Sequence, residues 1–419
     1  MTQINERSIA SRSRGIVFFN RTLRRAGANL RERLVAKLFS GIRYGRLRLI
    51  FPDGGDVEFC GAEHGPEASL TLHRWRAILR AARGGGLGMA EAFLVGDWSS
   101  PDLTAFIRLA ARNLDAFDES IRGSRALTFL NRLRHGLRRN SKRGSRRNIE
   151  FHYDLGNDFF RVWLDRAMIY SSALWQDGDP DLETAQQRKL DRIAGLLRLS
   201  GGESVLEIGC GWGALAAHLA ERGAKVTGLT LSPSQLKFAR EMVSERGLQD
   251  RVDLRLQDYR DASGGFDRVV SIEMIEAVGE SYWPSYFGAI RARLKPGGVA
   301  VLQCITIAEE RYESYRAETD FIQKHIFPGG FLPSKTLLAE QVRRAGLRLT
   351  GRQCFGPSYA RTLAEWRRRF DARWSCIEAQ GYDQRFRRLW DYYLCYCEAG
   401  FLAEVIDVGI YTIERPSDA

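Results

Sequence analysis

From about residue 150 onward, short apolar runs rich in Val, Ile and Leu alternate with longer stretches of helical periodicity, the pattern of a parallel α/β sheet with helices on its faces. The pattern predicts strands over Ser204–Ile208, Lys225–Leu229, Val252–Leu256, Arg268–Ile272 and Val299–Gln303, with helices between them. Asp179-Pro180 and Ser232-Pro233 each read as an N-cap followed by proline at the first helical position, where the missing N–H has no partner to lose. Lys295-Pro296-Gly297-Gly298 makes the turn into the fifth strand. Later, Phe386, Trp390, Tyr393, Cys397 and Phe401 recur at helical spacing as one apolar stripe, and Trp366, Phe370 and Trp374 stand four apart on another helix. Both stripes read as core.

Before residue 130 the pattern is different. Leu47 to Phe59 reads as short strands around Pro52-Asp53-Gly54-Gly55, followed by a helical segment carrying Trp75 and Leu79. Another helix follows the run Gly84 to Gly86, and Ser100-Pro101-Asp102 is read as a further cap and proline start. This is a small α+β domain over residues 1–130 with no catalytic motif. Residues 131–148 are rich in Arg, Ser, Asn and Gly and read as an exposed linker, which leaves 149–419 as the second domain.

Composition places the chain among globular proteins: 419 residues, 44% hydrophobic and 27% charged, with 63 Lys and Arg against 51 Asp and Glu for a net charge of +12. The positive excess is concentrated between Arg7 and Arg48 and again between Arg132 and Arg147. Such blocks attract phosphate backbones or anionic headgroups, the latter at about 1 kcal/mol per basic residue; the plainer reading is a solvated linker. Phe18, Phe19 and Leu23 interleave with the first block, as in a helix lying on lipid. No apolar run reaches the ~18 residues that span a bilayer, and Met1 to Gly15 has no secretory apolar stretch. The expected address is cytoplasmic, unless the Arg-rich start is an organellar transit peptide. Seven cysteines, an odd number with no Cys-x-x-Cys pair, are expected as reduced thiols. His64, His73, His135, His218 and His325 show no metal-ligand spacing, and no His-Glu-x-x-His, Gly-x-x-x-x-Gly-Lys or Gly-x-Ser-x-Gly string occurs. Metal catalysis, nucleotide hydrolysis and serine-esterase chemistry drop out, and no metal is expected.

The strongest local signal is Val205-Leu206-Glu207-Ile208-Gly209-Cys210-Gly211-Trp212-Gly213, an apolar strand running into three alternate glycines and then a helix. Glycine there lets the backbone turn sharply and approach a ligand at the carboxyl end of the first strand. A dinucleotide site would want Gly-x-Gly-x-x-Gly and an acid ending the second strand, but the chain continues Ala214-Leu215-Ala216, and the second strand ends Leu229-Thr230-Leu231-Ser232. NAD is disfavoured. The Glu-x-Gly-x-Gly-x-Gly form instead resembles motif I of class I S-adenosylmethionine-dependent methyltransferases, whose Rossmann-like domain this implies and whose glutamate helps orient the cofactor.

His152-Tyr153-Asp154-Leu155-Gly156-Asn157, Tyr170-Ser171-Ser172-Ala173-Leu174-Trp175, Thr230-Leu231-Ser232-Pro233-Ser234-Gln235, Gln257-Asp258-Tyr259-Arg260, Glu276-Ala277-Val278-Gly279 and Phe327-Pro328-Gly329-Gly330 are similar, in order and spacing, to the cyclopropane fatty acid synthases and mycolic acid cyclopropane synthases. The basic N-terminal domain looks like the accessory domain of the phospholipid-acting members. The resemblance implies that Tyr170, Ser171, Glu207, Gly209, Gly211, Trp212, Gly213, Thr230, Gln235, Gln257, Asp258 and Glu273 bind S-adenosylmethionine, with Gln257 and Asp258 facing the adenine. His152 would contact cofactor or substrate, or pack beneath the site. Methyl transfer to a cis double bond of an unsaturated phospholipid acyl chain leaves a carbocation, for which Tyr170, Trp175, Phe355, Tyr359 and Tyr393 are candidate aromatic faces.

In the family the proton is then taken by bicarbonate held by a Cys, a Glu, a His and a Tyr. The matching positions here are Ser172, Glu276, Gln303 and Tyr359, so two of the four have changed. Ser and Gln still donate hydrogen bonds; the site either holds bicarbonate or is refitted to give a methyl branch or methylene group. Ser171-Ser172, Ser271 to Ala277 and Gln303 look more like the branch that methylates unsaturated fatty acids. Cys397 matches a cysteine traditionally marked as the family's active-site residue, although its place in the apolar stripe favours a packed thiol. The Trp366 stripe is core or acyl-tunnel wall. Implied partners are an anionic phospholipid surface at the inner face of the membrane and the acyl chain, with no nucleic acid, since no Asn/Asp-Pro-Pro-Tyr string is present. A homo-oligomer is compatible with this reading, and a saturated branch would require a partner reductase. The rival readings are a methyltransferase acting on RNA or a soluble metabolite, and a non-catalytic protein that binds lipid or cofactor.

Overall fold

The structure, a computed structural model, describes residues 41–114 and 155–417 together with Val35 and Phe39. Both basic blocks fall largely outside these residues, as do the linker 131–148, Phe18, Phe19, Leu23 and His152.

The N-terminal unit is a four-stranded sheet carrying two helices. Strands β1 (Tyr44–Ile50) and β2 (Asp56–Cys60) form a hairpin through the Pro52-Asp53-Gly54-Gly55 turn, and β3 (Glu63–Leu72) lies parallel to β1. The sequence pattern had no place for β3: only its last residues are apolar and buried, so its alternation is weak. Helix α1 (Arg76–Leu94) is broken at Gly85, whose φ of 56° and ψ of −139° are open to glycine alone. The chain folds back there so closely that a Cβ on Gly88 would lie 2.1 Å from the Arg80 carbonyl oxygen. After the short β4 (Trp98–Ser99), α2 (Leu103–Arg112) starts two residues later than Ser100-Pro101 suggests, because the Asp102 carboxylate accepts the Ala105 N–H at 2.9 Å.

The larger unit holds α3 (Asn157–Trp163), α4 (Leu182–Leu196), β5 (Ser204–Ile208), α5 (Ala214–Glu221), β6 (Lys225–Thr230), α6 (Pro233–Glu245), β7 (Val252–Leu256), β8 (Phe266–Ile272), α7 (Trp283–Arg293) and β9 (Leu294–Ile307). It continues with α8 (Phe321–His325), α9 (Lys335–Arg344), β10 (Arg348–Cys354), α10 (Gly356–Ala372), α11 (Gln384–Leu402) and β11 (Ile406–Glu414). The sheet order is β10-β11-β9-β8-β5-β6-β7, with β11 antiparallel to both its neighbours and β5 to β9 mutually parallel. The five predicted strands are all present, in a mostly parallel α/β sheet. Strands β10 and β11 were not predicted.

Ser232 caps α6 as expected, its hydroxyl accepting the Gln235 N–H with Pro233 in the first turn. Asp179 does not cap α4; Asp181 does, accepting the Thr184 N–H at 2.8 Å, while Asp179 pairs with Arg188. At residues 100–102 and 179–181 alike, an acid just beyond the proline reaches the N3 amide and wins the cap. The Trp366 stripe is buried, but it crosses a helix break: α10 ends at Ala372 and Trp374 begins a separate short helix.

The two units share a continuous core. Helices α1 and α2 lie on α11, with Phe93 and Tyr392 ring centroids 5.5 Å apart and the Thr104 hydroxyl donating to Glu398 at 2.8 Å. Strand β5 lies where the chain reverses direction across the sheet, with β6 on one side and β8 on the other, so a crevice opens at their carboxyl ends.

Candidate active site

A cavity of about 780 Å³ fills that crevice, a volume suited to a small molecule together with part of a chain. At its floor the glycine turn leaves β5 with Gly209, Gly211 and Gly213 at φ of 85°, 52° and 88°. A Cβ on Gly209 would press on Met274 and one on Gly213 on Ala239, whereas one on Gly211 would stand in open space. Close packing therefore requires two of the glycines, and the third leaves room for a ligand to approach the backbone. Glu207 is buried beneath the turn, burial pushes its carboxyl up to about 8, and its Oε2 has no partner among the described residues. An unpartnered buried carboxylate oxygen waits for a donor, and the donor-rich ribose and ammonium groups of S-adenosylmethionine fit it. Thr230 and Gln235, joined side chain to side chain at 3.0 Å, and Gln257 and Asp258 line the same end. Asp258 is already paired with the Arg260 guanidinium at 2.6 Å. Trp212 is buried and donates to Asn157 at 2.8 Å.

The segment 170–175 meets the cavity through Tyr170 and Ser171 and is held from both sides. From α4, Lys189 Nζ donates to the Ser171 hydroxyl at 2.7 Å and Gln186 donates to the Ser171 carbonyl at 3.0 Å. From α10, Thr362 Oγ1 accepts both the Ala173 N–H at 3.2 Å and the Trp175 indole N–H at 3.0 Å. So fixed, the Ser172 N–H points at a carboxylate. That carboxylate belongs to Glu273, not to Glu276. Glu273 accepts from Ser172 N at 2.9 Å, from Gln303 Nε2 at 2.8 Å and from the Tyr359 hydroxyl at 2.7 Å. Gln303 is placed by the register of β9 beside β8, where its carbonyl also takes the Glu273 N–H at 2.7 Å. Glu273 itself has φ of 48°, a left-handed conformation that costs a non-glycine residue roughly 1–3 kcal/mol and turns its side chain out of the strand's alternation.

The family resemblance grouped Ser172, Gln303 and Tyr359 with Glu276 and put Glu273 among the cofactor ligands. The structure gathers Ser172, Gln303 and Tyr359 around Glu273 instead. Glu276 accepts the Ile305 N–H, its Oε2 has no partner among the described residues, and burial next to Glu273 pushes its carboxyl up to about 8. Burial raises Glu273 too, but the Tyr359 hydroxyl, the Ser172 N–H, the Lys189 ammonium and the Gln303 amide oppose it. Of two adjacent carboxyls, the one with three donors ionises first and the other holds its proton more firmly. Lys189 is buried, which lowers its ammonium to about 8 against the pull of Glu273 and Asp165.

Three of the expected aromatic faces, Tyr170, Tyr359 and Tyr393, line the cavity, with the Tyr170 and Tyr393 hydroxyls 2.8 Å apart. Trp175 and Phe355 do not line it; Trp175 is covered by the Arg361 guanidinium 3.9 Å above its ring. Cys397 lines the cavity as a thiol that burial pushes well up, which holds it in the protonated, non-nucleophilic form. The Trp366 stripe lies in the core outside the cavity. Sequence reasoning missed Lys189, Thr362 and the contribution of the N-terminal unit, whose Ile78, Leu87, Met89, Phe106 and Ile107 line the far, apolar end. Lys189 had a readable signal, since it stands four residues from both Ala185 and Ile193 on the apolar face of α4. Thr362 and α1 had none.

Among the described residues no helix is long and apolar enough to cross a membrane, and no group of His, Cys, Asp and Glu could hold a metal ion. Comparison with known proteins agrees with the site. The family described as mycolic acid cyclopropane synthetase matches residues 140–410. Tuberculostearic acid methyltransferase UfaA1 of Mycobacterium tuberculosis is 40% identical over 379 residues, covering 88% of this chain and 88% of its own. Cyclopropane-fatty-acyl-phospholipid synthase of Escherichia coli is 37% identical over 344 residues, covering 80% of this chain and 85% of its own. The crystal structure of mycolic acid cyclopropane synthase CmaA1 complexed with SAH and CTAB superposes with a TM-score of 0.61 at 32% identity, over 64% of this chain and 98% of that one. On that family match and these identities, the chain belongs to the mycolic acid cyclopropane synthetase family of S-adenosylmethionine-dependent methyltransferases.

Proposed function

We propose that this enzyme methylates the cis double bond of an unsaturated acyl chain carried by a membrane phospholipid, giving a methyl-branched or methylene chain in preference to a ring. The observation that carries the reading is one cavity joining two chemistries: the glycine turn with Glu207 at one end, and an apolar chamber with Tyr170, Tyr359 and Tyr393 between. S-adenosylmethionine supplies an electrophilic methyl on a sulfonium, to which the alkene gives its π pair. Glu207, Gly211, Thr230, Gln235, Gln257 and Asp258 would hold it. The apolar walls exclude water, so an alkene carbon held beside the methyl gains from proximity, ~7–11 kcal/mol at best. The three tyrosine faces steady the cationic carbon by on the order of 2 kcal/mol in a dry site.

Phospholipid as the carrier is supported by the length of the alignment with the Escherichia coli enzyme, longer than the catalytic span, whereas the CmaA1 structure is matched by 64% of this chain. Helix α1 lines the apolar end through Ile78 and exposes Leu79, at 58% one of three large apolar side chains left exposed among the described residues. The basic blocks would add electrostatic attraction to an anionic bilayer. The branched outcome is supported by the name of the 40% identical relative and by Ser172 and Gln303.

The test is incubation of the purified chain with methyl-labelled S-adenosylmethionine and vesicles of oleoyl phosphatidylglycerol. Label in the lipid fraction is expected, with mass spectrometry of the released acids showing a gain of one methylene unit. Absence of label from lipid overturns the proposal.

A further inference from the structure

The residues that would hold bicarbonate do not fit it. Of the four matching positions, Gln303 and Tyr359 already spend a side-chain donor on Glu273, at 2.8 and 2.7 Å, and Ser172 its backbone N–H at 2.9 Å, while the Ser172 hydroxyl donates to the Ala173 carbonyl at 2.9 Å. The fourth, Glu276, keeps its proton and is left to offer an anion one O–H donor. An added bicarbonate would need the same three donors and would meet the Glu273 charge. We infer that Glu273 is itself the base of the reaction: a protein carboxylate, built into the anion site, that takes the proton lost from the methylated chain.

Four observations on the molecule support this. The Glu273 backbone is held at φ of 48°, a conformation with a cost, in a residue whose carboxylate meets three donors. Both its oxygens are aimed by groups that are themselves fixed: Ser172 by α4 and α10, Gln303 by the sheet register, and Tyr359 by stacking on Phe401 at 4.6 Å between ring centroids. A counter-charge, Lys189, favours its carboxylate form against the burial that opposes it. Finally, Glu273 lines the cavity together with Tyr170, Tyr359 and Tyr393, the faces assigned to the cationic carbon.

The chemistry balances without a further reagent. The alkene π pair forms the bond to the methyl, the S–CH3 pair stays on sulfur, and the neighbouring carbon becomes cationic. Glu273 then accepts a proton and becomes a carboxylic acid. If the proton leaves a chain carbon bonded to the cationic centre, its C–H pair becomes a C=C bond beside the branch; if a hydride first moves with its pair from the methylated carbon to the cationic one, loss of a methyl proton gives the methylene group; without that shift, loss from the new methyl closes a ring. The acid returns the proton to water after product release.

The inference rests on the proposed alkene methylation, and one of its two tests is independent of that reaction. Carbon-13 bicarbonate is titrated into the protein in the presence of S-adenosylhomocysteine and followed by NMR, for the natural chain and for Glu273→Gly. Glycine suits the φ at this position and frees all three donors. Saturable binding is expected for Glu273→Gly and none for the natural chain; saturable binding to the natural chain, or none to the variant, overturns the inference whatever the substrate. In the second test, lipid labelling is measured in buffer stripped of bicarbonate. The natural chain should keep its rate within about twofold, Glu273→Gln should lose ~100-fold or more with cofactor affinity within about threefold, and Glu273→Gly should be partly rescued by added bicarbonate. A natural chain that stops when bicarbonate is removed, or a Glu273→Gln variant at full rate, sinks the idea. A chain that labels no lipid at all overturns the proposed function, while the binding measurement still decides the place of Glu273.

Discussion

Glu273 and Glu276 stand three residues apart in one loop, yet their surroundings treat their charge differently. Glu273 has three donors and an ammonium to favour its carboxylate; Glu276 has backbone N–H groups alone, set against its neighbour's carboxylate. Glu276→Gln keeps the shape and an acceptor for Ile305, and should cost less than about tenfold in turnover, since a neutral side chain replaces a neutral one. Steady-state kinetics of this variant beside Glu273→Gln separates the two carboxyls. Lys189 sets a pH limit. Its ammonium lowers the Glu273 carboxyl, so removing it in Lys189→Met raises that group further. The active form is the carboxylate, which is lost as pH falls through the folded value, so the acid limb of the pH–rate profile should move to higher pH. An unmoved limb would mean that Lys189 serves only to fill the core. At the cofactor end, Glu207→Gln should weaken S-adenosylhomocysteine binding in calorimetry while leaving the fold intact.

Among the elements, the segment 170–175 and helix α1 shape the cavity without carrying chemistry. Thr362 on α10 takes two N–H groups of that segment on one hydroxyl, and Thr362→Val would leave both buried donors unpaired. The expected cost is about 1–3 kcal/mol per donor, seen as a lower midpoint in denaturant. A fall in turnover larger than the stability loss explains should accompany it, because Ser172 N loses its aim at Glu273. Helix α1 turns back on itself through Gly85 and Gly88, and Gly88→Ala would drive a methyl into the Arg80 carbonyl. Since neither atom can rotate away, the helix must shift, typically at 1–3 kcal/mol for overpacking, and the apolar end of the cavity shifts with it. Acyl-chain selectivity should change more than cofactor affinity; the reverse pattern would show that α1 does not wall the chain site.

Over the whole molecule, buried carboxyls make stability depend on pH in an unusual direction. Glu207 and Glu276 lie at about 8 in the folded chain and near 4.3 when unfolded. Between those values the folded state binds more protons, so stability falls as pH rises. His218, held low by burial, acts the other way below about pH 6.5. The ligand-free protein should therefore lose thermal stability between pH 6.5 and 8, and the double variant Glu207→Gln with Glu276→Gln should flatten that slope in calorimetric melts. Much of this molecule could be read along the chain. The five parallel strands, the glycine turn and the family motifs are local patterns, and backbone sterics with hydrophobic burial act locally enough for sequence to express them. Strand β10, with its alternating half-exposed positions, and β11 escaped because their place depends on pairing with β9, distant in sequence. What only the tertiary structure decided is which carboxyl ionises first and what walls the apolar end of the cavity. The donors to Glu273 come from 101, 30 and 86 residues away, and the far wall is lent by another sheet's helices. Neither hydrogen-bond supply nor burial at such separations is encoded by spacing, because both arise only when distant segments exclude water together.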